Sequence, residues 1–405
     1  MSTKYPGGII SKTAPVPTGP YQNSTASGIW TLEQMEYWMG QSLWPTAGNF
    51  VPYKLWSFGQ NAAGELGLGN LTYYSSPKQV GALTNWLKLS ASYGFSYAIK
   101  TDGTLWSWGK NNQGQLGLNN RTYYSSPKQI GALTSWSVIV AQTSSAIAIK
   151  TDGTMWAWGR NQLGQLGLGN TTNYSSPKQV GALTDWLSAA CGESHTIAVK
   201  TDGTLWAWGL NSLGQLGFGN TTNYSSPKQV GALTNWLKTS CCAKSSQAIK
   251  TAGTLWAWGN GGSGQLGFGN TTNYSSPKQV GALTNWSITT GLENCVLSIK
   301  TDGTLWAWGT NAQGQLGQNN VTYRSSPVQV GILTTWKNIS GCSIIGEFVA
   351  STKTDGTLWT WGANTIGQLG IGNTTRYSSP KQVGSLTNWY GVFVGAKHTL
   401  AVSGP

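Results

Sequence analysis

Short apolar runs, broken by Gly, Asp, Asn and Pro, fill this chain from Leu55 onward and recur as near copies of one another. In one copy, residues 96–100 and 104–108 flank Asp102-Gly103, and Asp-Gly between apolar runs predicts a tight hairpin. The expected turn is type I′, with positive φ at both residues. An earlier run starts at Trp86 and another at Pro77-Lys78-Gln79-Val80, which makes four short strands per block. Trp106 and Trp108 fall on one side of their strand, Leu105 and Ser107 on the other. The Trp side of one four-stranded unit is expected to pack on the small-residue side of the next.

The block returns seven times. Its first tryptophan is Trp56, Trp106, Trp156, Trp206, Trp256, Trp306 and Trp359, a step of fifty residues until the last, which is three longer. A period of that length denotes one supersecondary unit stacked on copies of itself. Four strands per unit is the content of a propeller blade. No copy of the first two strands precedes Leu55, and residues 389–402 supply the missing pair at the other end. Pairing those strands with residues 55–58 closes the ring and removes its free edges. The expected fold class is therefore all-β: a seven-bladed β-propeller over residues 51–405, preceded by an N-terminal arm over residues 1–50.

That arm belongs to no repeat. Residues 6–28 are rich in Pro, Gly, Ser and Thr, which predicts an extended segment without a core of its own. Thr31 as N-cap with Gln34 three residues on predicts one short helix to about Leu43, with Leu32, Met35, Trp38 and Met39 as its apolar stripe. The apolar residues Tyr5, Ile9, Tyr21, Trp30, Leu32, Met35, Trp38 and Trp44 are candidates for an assembly anchor.

Composition changes the picture in two ways. The 23 tryptophans rule out a disordered chain, which lacks apolar surface to offset chain entropy. Charged residues are only 9 %, yet the formal net charge is +13. Two lysines recur in most blocks: Lys78, Lys128, Lys178, Lys228, Lys278 and Lys381, then Lys100, Lys150, Lys200, Lys250, Lys300 and Lys353. A closed ring would turn these into two circles of positive charge, attractive to nucleic acid, an acidic polysaccharide or an acidic protein. No signal peptide and no membrane span is expected, so no membrane insertion. The five cysteines lack metal-ligand spacing and four fall just after a block's third Trp, as expected of small buried thiols made in a reducing compartment. Asn-x-Thr recurs at the turns, as at Asn170, and is expected as a turn rather than a glycan site.

Comparing the copies separates what the architecture needs from what varies. The Asp-Gly hairpin and the Val-Gly-Ala-Leu-Thr-Asn-Trp connector hardly change. The segment after each block's inner strand and the segment after Trp-Gly do vary, and both should converge on one rim. Loops carry recognition on rigid scaffolds, so the candidate contact residues are Tyr93, Phe95, Lys110, Arg160, Glu193, His195, Lys244, Glu293, Phe348 and Lys397. Chemistry has thin support among twelve carboxylates and two histidines. Cys191, Glu193 and His195 suggest a nucleophile and base, but no other blade supplies an orienting acid. Gly-Gln-Leu-Gly-x-Gly-Asn lacks the Lys and helix of a phosphate loop. The expectation is no enzyme, no cofactor and no metal.

The pattern Trp-Gly-x-Asn-x-x-Gly-Gln-Leu-Gly-x-Gly-Asn (residues 158–170), Ser176-Pro177 and Ala-Val-Lys-Thr-Asp-Gly-Thr-Leu-Trp (residues 198–206) resembles the regulator of chromosome condensation repeat family. The resemblance covers about 350 residues and implies a seven-bladed propeller; the family's functions range from nucleotide exchange and light sensing to inhibition and adhesion. Its exchange factors usually carry a His before the hairpin in most blades, whereas here only His195 and His398 stand there. The Trp-Arg cluster of the plant UV-B photoreceptor has no counterpart, so neither function carries over. Separately, residues 5–21, 26–35 and 43–45 resemble an N-terminal segment shared by tailed-phage structural proteins. That implies a virion protein, such as a tail fibre, capsid fibre or decoration. Residues 1–50 would dock on other virion proteins, and the propeller would bind a host-surface glycan or protein, anionic ones included. A homo-oligomer is compatible with this reading. The alternative is an intracellular interaction scaffold that binds nucleic acid or an acidic protein through its lysine rings.

Overall fold

A computed structural model describes residues 53–344 and 346–404. The chain divides into two units, residues 1–51 and 52–405; the expected arm, the expected helix and all eight anchor candidates lie outside the described residues. The second unit consists of seven four-stranded antiparallel sheets, each a blade. In the first complete blade the order is Trp86–Ala91, Phe95–Lys100, Leu105–Gly109 and Tyr124–Gln129, from inner to outer edge. The inner strands of neighbouring blades touch all the way round and line a narrow axial cavity of about 240 Å³.

Closure follows the sequence expectation. Lys54–Gly59 pairs with His398–Ser403 in unbroken register, Lys54 against Ser403 through Gly59 against His398. Trp389–Val394 supplies that blade's inner strand and Tyr74–Gln79 its outer one. Chain start and chain end thus share one sheet.

Two local expectations need correction. The hairpin is not type I′: of Asp102 and Gly103 only Gly103 has positive φ, at 76°. Gly103 N–H donates to the Lys100 carbonyl and Lys100 N–H to that of Thr104, the three-residue loop with a left-handed glycine. Gly is required twice over, because a Cβ at 103 would run into the Thr134 carbonyl. Asp serves a different purpose from the one expected. Its Oδ1 accepts from Thr104 N–H at 2.9 Å and Thr104 Oγ1 at 2.6 Å, and Thr104 Oγ1 accepts from Trp106 Nε1 at 2.9 Å.

The second correction concerns blade packing. The Trp face of each blade meets the preceding blade, and the face that receives it combines the small third-strand residue with larger aliphatic ones, as Ala157 with Ile147, Ile149 and Val180 against Trp186 and Trp208. Trp136 and Trp158 pack with Ile99, Leu105 and Ile130 of the blade before, while the small residues Ala146 and Ala148 share their own face. The larger aliphatic residues deepen the apolar bed that the small ones open for the indole. The second Trp of each third strand that carries one is also fastened by its N–H: Trp208 Nε1 donates to the Gln165 carbonyl of the preceding blade at 3.0 Å, and Trp108 Nε1 to that of Glu65 at 2.8 Å. The repeated Asn organises the same loop, since Asn111 Oδ1 accepts from Leu116 N–H and its Nδ2 donates to Asn120. The most repeated residues of the block are therefore ring-building residues.

Candidate interaction surface

The two variable segments are joined by one backbone hydrogen bond in every blade. Lys110 N–H donates to the Gly94 carbonyl, Arg160 to Ser144, Leu210 to Ser194, Asn260 to Lys244, Thr310 to Asn294, Ala363 to Glu347 and Gln60 to Lys397. Both segments therefore occupy one rim. Neighbouring blades are linked there too, through Glu193 N–H to the Ala243 carbonyl and Ala243 N–H to that of Glu293. The uniform connectors form the other rim and carry a circle of half-exposed leucines, Leu83, Leu133, Leu183, Leu233, Leu283, Leu333 and Leu386.

The rim holds most candidate residues but not all. Tyr93 is exposed, with the Lys110 ammonium 4.7 Å from its ring centre. Lys244 and Lys397 are exposed, and Arg160, Glu193 and Glu293 partly so. Lys244 Nζ lies 4.0 Å from the Glu193 carboxylate. Burial, then the nearby Glu347 and Glu193 carboxylates, raise the Glu293 carboxyl above its ordinary range. Phe95 and Phe348 are fully buried and belong to the core. At the first residue of a second strand the side chain turns inward between blades, so an aromatic there cannot reach a partner.

His195 is the third correction. It is fully buried, with Nε2 3.0 Å from Ser246 Oγ of the next blade. Ser246 Oγ itself donates to the Gln215 carbonyl, which assigns the proton to His195 Nε2. Burial holds this imidazole neutral, with a pKa lowered to about 3. His398 repeats the arrangement with Ser96 at 2.9 Å and the Glu65 carbonyl. A Cβ at Gly192 or Gly395 would strike the His195 or His398 ring. Each histidine is thus paired with a glycine three residues earlier, a covariation inside the chain. Cys191 offers no nucleophile, since burial pushes its thiol up to about 12 and its Sγ faces Thr196 Oγ1 rather than the imidazole.

The lysine circles differ in kind. Lys100, Lys200, Lys250, Lys300 and Lys353 are buried, each ammonium lying over two indoles; Lys353 is 4.9 Å from the Trp336 ring and 3.5 Å from that of Trp359. Burial lowers the pKa of Lys100, Lys250, Lys300 and Lys353. This expected circle of surface charge is a set of cation–π clasps. The outer-strand lysines are exposed and lean on tyrosines, as Lys78 does on Tyr74 and Lys381 on Tyr377.

At the axis, Cys191, Cys241 and Cys342 line the cavity, and all five cysteines are buried and unpaired. The three-residue expansion of the last block folds inward there: Ser343 Oγ donates across to the Cys191 carbonyl at 3.1 Å. Among the described residues no group of three or more His, Cys, Asp or Glu could hold a metal ion, and no helix is long and apolar enough to cross a membrane. Copy-to-copy comparison overlooked Glu65, a buried carboxylate where the other six blades carry glutamine. Its signal was visible in Gly64-Glu65-Leu66-Gly67 against six copies of Gly-Gln-Leu-Gly.

Comparison with known proteins agrees with this architecture. The regulator of chromosome condensation (RCC1) repeat model matches residues 54–99, 102–145, 152–199, 202–249, 252–290, 302–343 and 355–402. A second model of the same repeat matches residues 86–115 and 187–215. Among curated proteins none matches. Prp20p of Saccharomyces cerevisiae, whose structure was reported with its binding properties to Gsp1p and histones, has a TM-score of 0.77 at 18 % identity over 88 % of this chain and 92 % of that one. Human WBSCR16 gives 0.75 at 19 % identity over 87 % of this chain and 98 % of that one. At such identity the likeness shows the fold alone.

Proposed function

The chain belongs to the regulator of chromosome condensation (RCC1) repeat family, and from that premise we propose that it is a non-enzymatic interaction scaffold for an acidic macromolecular partner, nucleic acid or acidic protein. The observation that carries this reading is the state of its positive charge. Two ion pairs occur among the described residues, and six outer-strand lysines are exposed beside tyrosine or phenylalanine rings. An unneutralised perimeter attracts polyanions and releases their counterions on contact. The variable rim supplies adaptable side chains for specificity. The fold relative Prp20p binds macromolecules, which is consistent with a scaffold.

Binding to duplex DNA and to an acidic polypeptide, followed as a function of salt, tests the proposal. A dissociation constant that rises steeply with salt supports it. No binding of either polyanion at low salt would sink it.

A second reading, a phage virion protein that docks by residues 1–50 and meets a host-surface glycan or protein, rests on the resemblance of those residues alone. They precede the matched repeats and nothing in the comparisons supports it. Deleting residues 1–50 should then leave a folded propeller that no longer joins particles.

A further inference from the structure

A groove of about 260 Å³ lies at the seam where the closing blade meets its neighbour, lined by Glu65, Tyr93, Lys110, Tyr123, Lys397 and His398 among others. Glu65 forms part of it with 1 % of its surface exposed. The fold does not need a carboxylate at this place. In the other blades the glutamine Oε1 accepts a backbone N–H two residues back, as Gln115 does from Gln113 at 2.8 Å. Glu65 makes the same bond with Oε2, from Ala63 at 2.7 Å. Burial raises the Glu65 carboxyl above the ordinary range, outweighing the backbone N–H groups of Glu65 itself, Ala63 and Ala62 and the Lys110 charge, which favour the charged form. No cation lies within ion-pair distance of it among the described residues.

The surroundings match the carboxylate. Tyr93 is the only aromatic at its loop position, where the other blades carry Thr143, Glu193, Ala243, Glu293, Ser343 and Ala396. It is 38 % exposed and Tyr123 is 46 % exposed, so both offer ring surface. Lys110 is held beside Tyr93, and Lys397 is exposed at the opposite wall. The Glu65 backbone is fixed by Trp108 and Ser96, which both donate to its carbonyl, so the acceptor is preorganised. A bare amine would meet two lysines, and a phosphate would meet the carboxylate. A ligand with hydroxyls for Glu65, a C–H face for tyrosine and an anion for lysine satisfies every group. We propose that this groove binds a single sugar-acid residue, its vicinal hydroxyls on Glu65, its ring against Tyr93 and its carboxylate on Lys397. Occupancy by such a sugar does not depend on the macromolecular partner proposed above.

Calorimetric titration of the full chain with glucuronate, and with glucose as the neutral counterpart, tests this. Glucuronate should bind in the millimolar range, about fivefold tighter than glucose. Glu65→Gln should weaken both by about tenfold, with an unchanged or raised melting temperature because glutamine is the residue of the other six blades. Lys397→Met should remove only the preference for glucuronate. Failure of glucuronate to bind, equal affinity for glucose, or unchanged binding by Glu65→Gln would each overturn the proposal.

Discussion

The two histidines decide how the ring responds to acid. Each imidazole uses its Nε2 proton on a serine of the next blade, and His195 Nδ1 is buried without a partner. A second proton therefore has no acceptor in the fold, and the folded pKa falls to about 3 for both, against about 6.5 in the unfolded chain. Between those values the unfolded chain binds protons that the native ring refuses, so stability falls as pH falls. At pH 5 the loss is about 2 kcal/mol per histidine relative to neutral pH. Urea denaturation at pH 7 and pH 5 should show it, and His195→Ser with His398→Ser should flatten the difference. Serine is what two other blades carry there, as Ser145 and Ser245. An equal loss in the double variant would point elsewhere. Below about pH 4 the aspartates at the hairpins add a further loss, since threonine hydrogen bonds hold Asp202, Asp302 and Asp355 below their ordinary range. None of this was legible from residue type. A polar residue in a variable segment looks like a contact, and only the point where the strand begins distinguishes buried His195, the first residue of His195–Lys200, from partly exposed Glu193 in the loop before it.

At the level of strands and turns the repeat made more visible, because seven copies display what each position must do. Strand number and ring closure could be read directly, since one half-blade at each end has a single economical use. The hairpin type could not: Asp-Gly suits two loop geometries, and Ala252-Gly253 adopts the same one without an Asp, so the Asp102–Thr104–Trp106 chain braces the loop without choosing it. The direction of blade packing was also hidden, because both faces of the third strand are apolar. Closure carries a direct prediction. Without residues 389–405 the sheet formed by Lys54–Gly59 and Tyr74–Gln79 loses both inner strands, and Trp86 and Trp108 lose Leu400 and Val402 from the cluster that holds them. The truncated chain should expose an edge, associate through it and lose its single cooperative melting transition. Size-exclusion chromatography with calorimetry checks this; a monomer that melts as the full chain does would refute closure as the source of cooperativity.

Over the whole molecule, the same residue type performs two functions at two radii. Net charge could be read from composition, but its placement could not, because Lys100 and Lys78 stand in equally polar-looking contexts. Six lysines stand on the outer strands in water, and a second set lies between indoles where the inner hairpins fold back. The inner set contributes packing: Lys250 Nζ lies 4.6 Å from the Trp236 ring and 3.8 Å from that of Trp256, with its alkyl stem covering apolar surface. Lys250→Ala should therefore cost about 1–3 kcal/mol of stability and leave polyanion binding almost unchanged. Joint replacement of Lys78, Lys128, Lys178, Lys228, Lys278 and Lys381 by glutamine should do the opposite. It should spare the melting temperature, because each of these lysines is exposed and surface interactions are individually weak. It should also shrink the salt dependence of binding, since fewer counterions are released. If the outer variant kept the full salt slope, the perimeter would be a solubilising surface and recognition would belong to the variable rim alone.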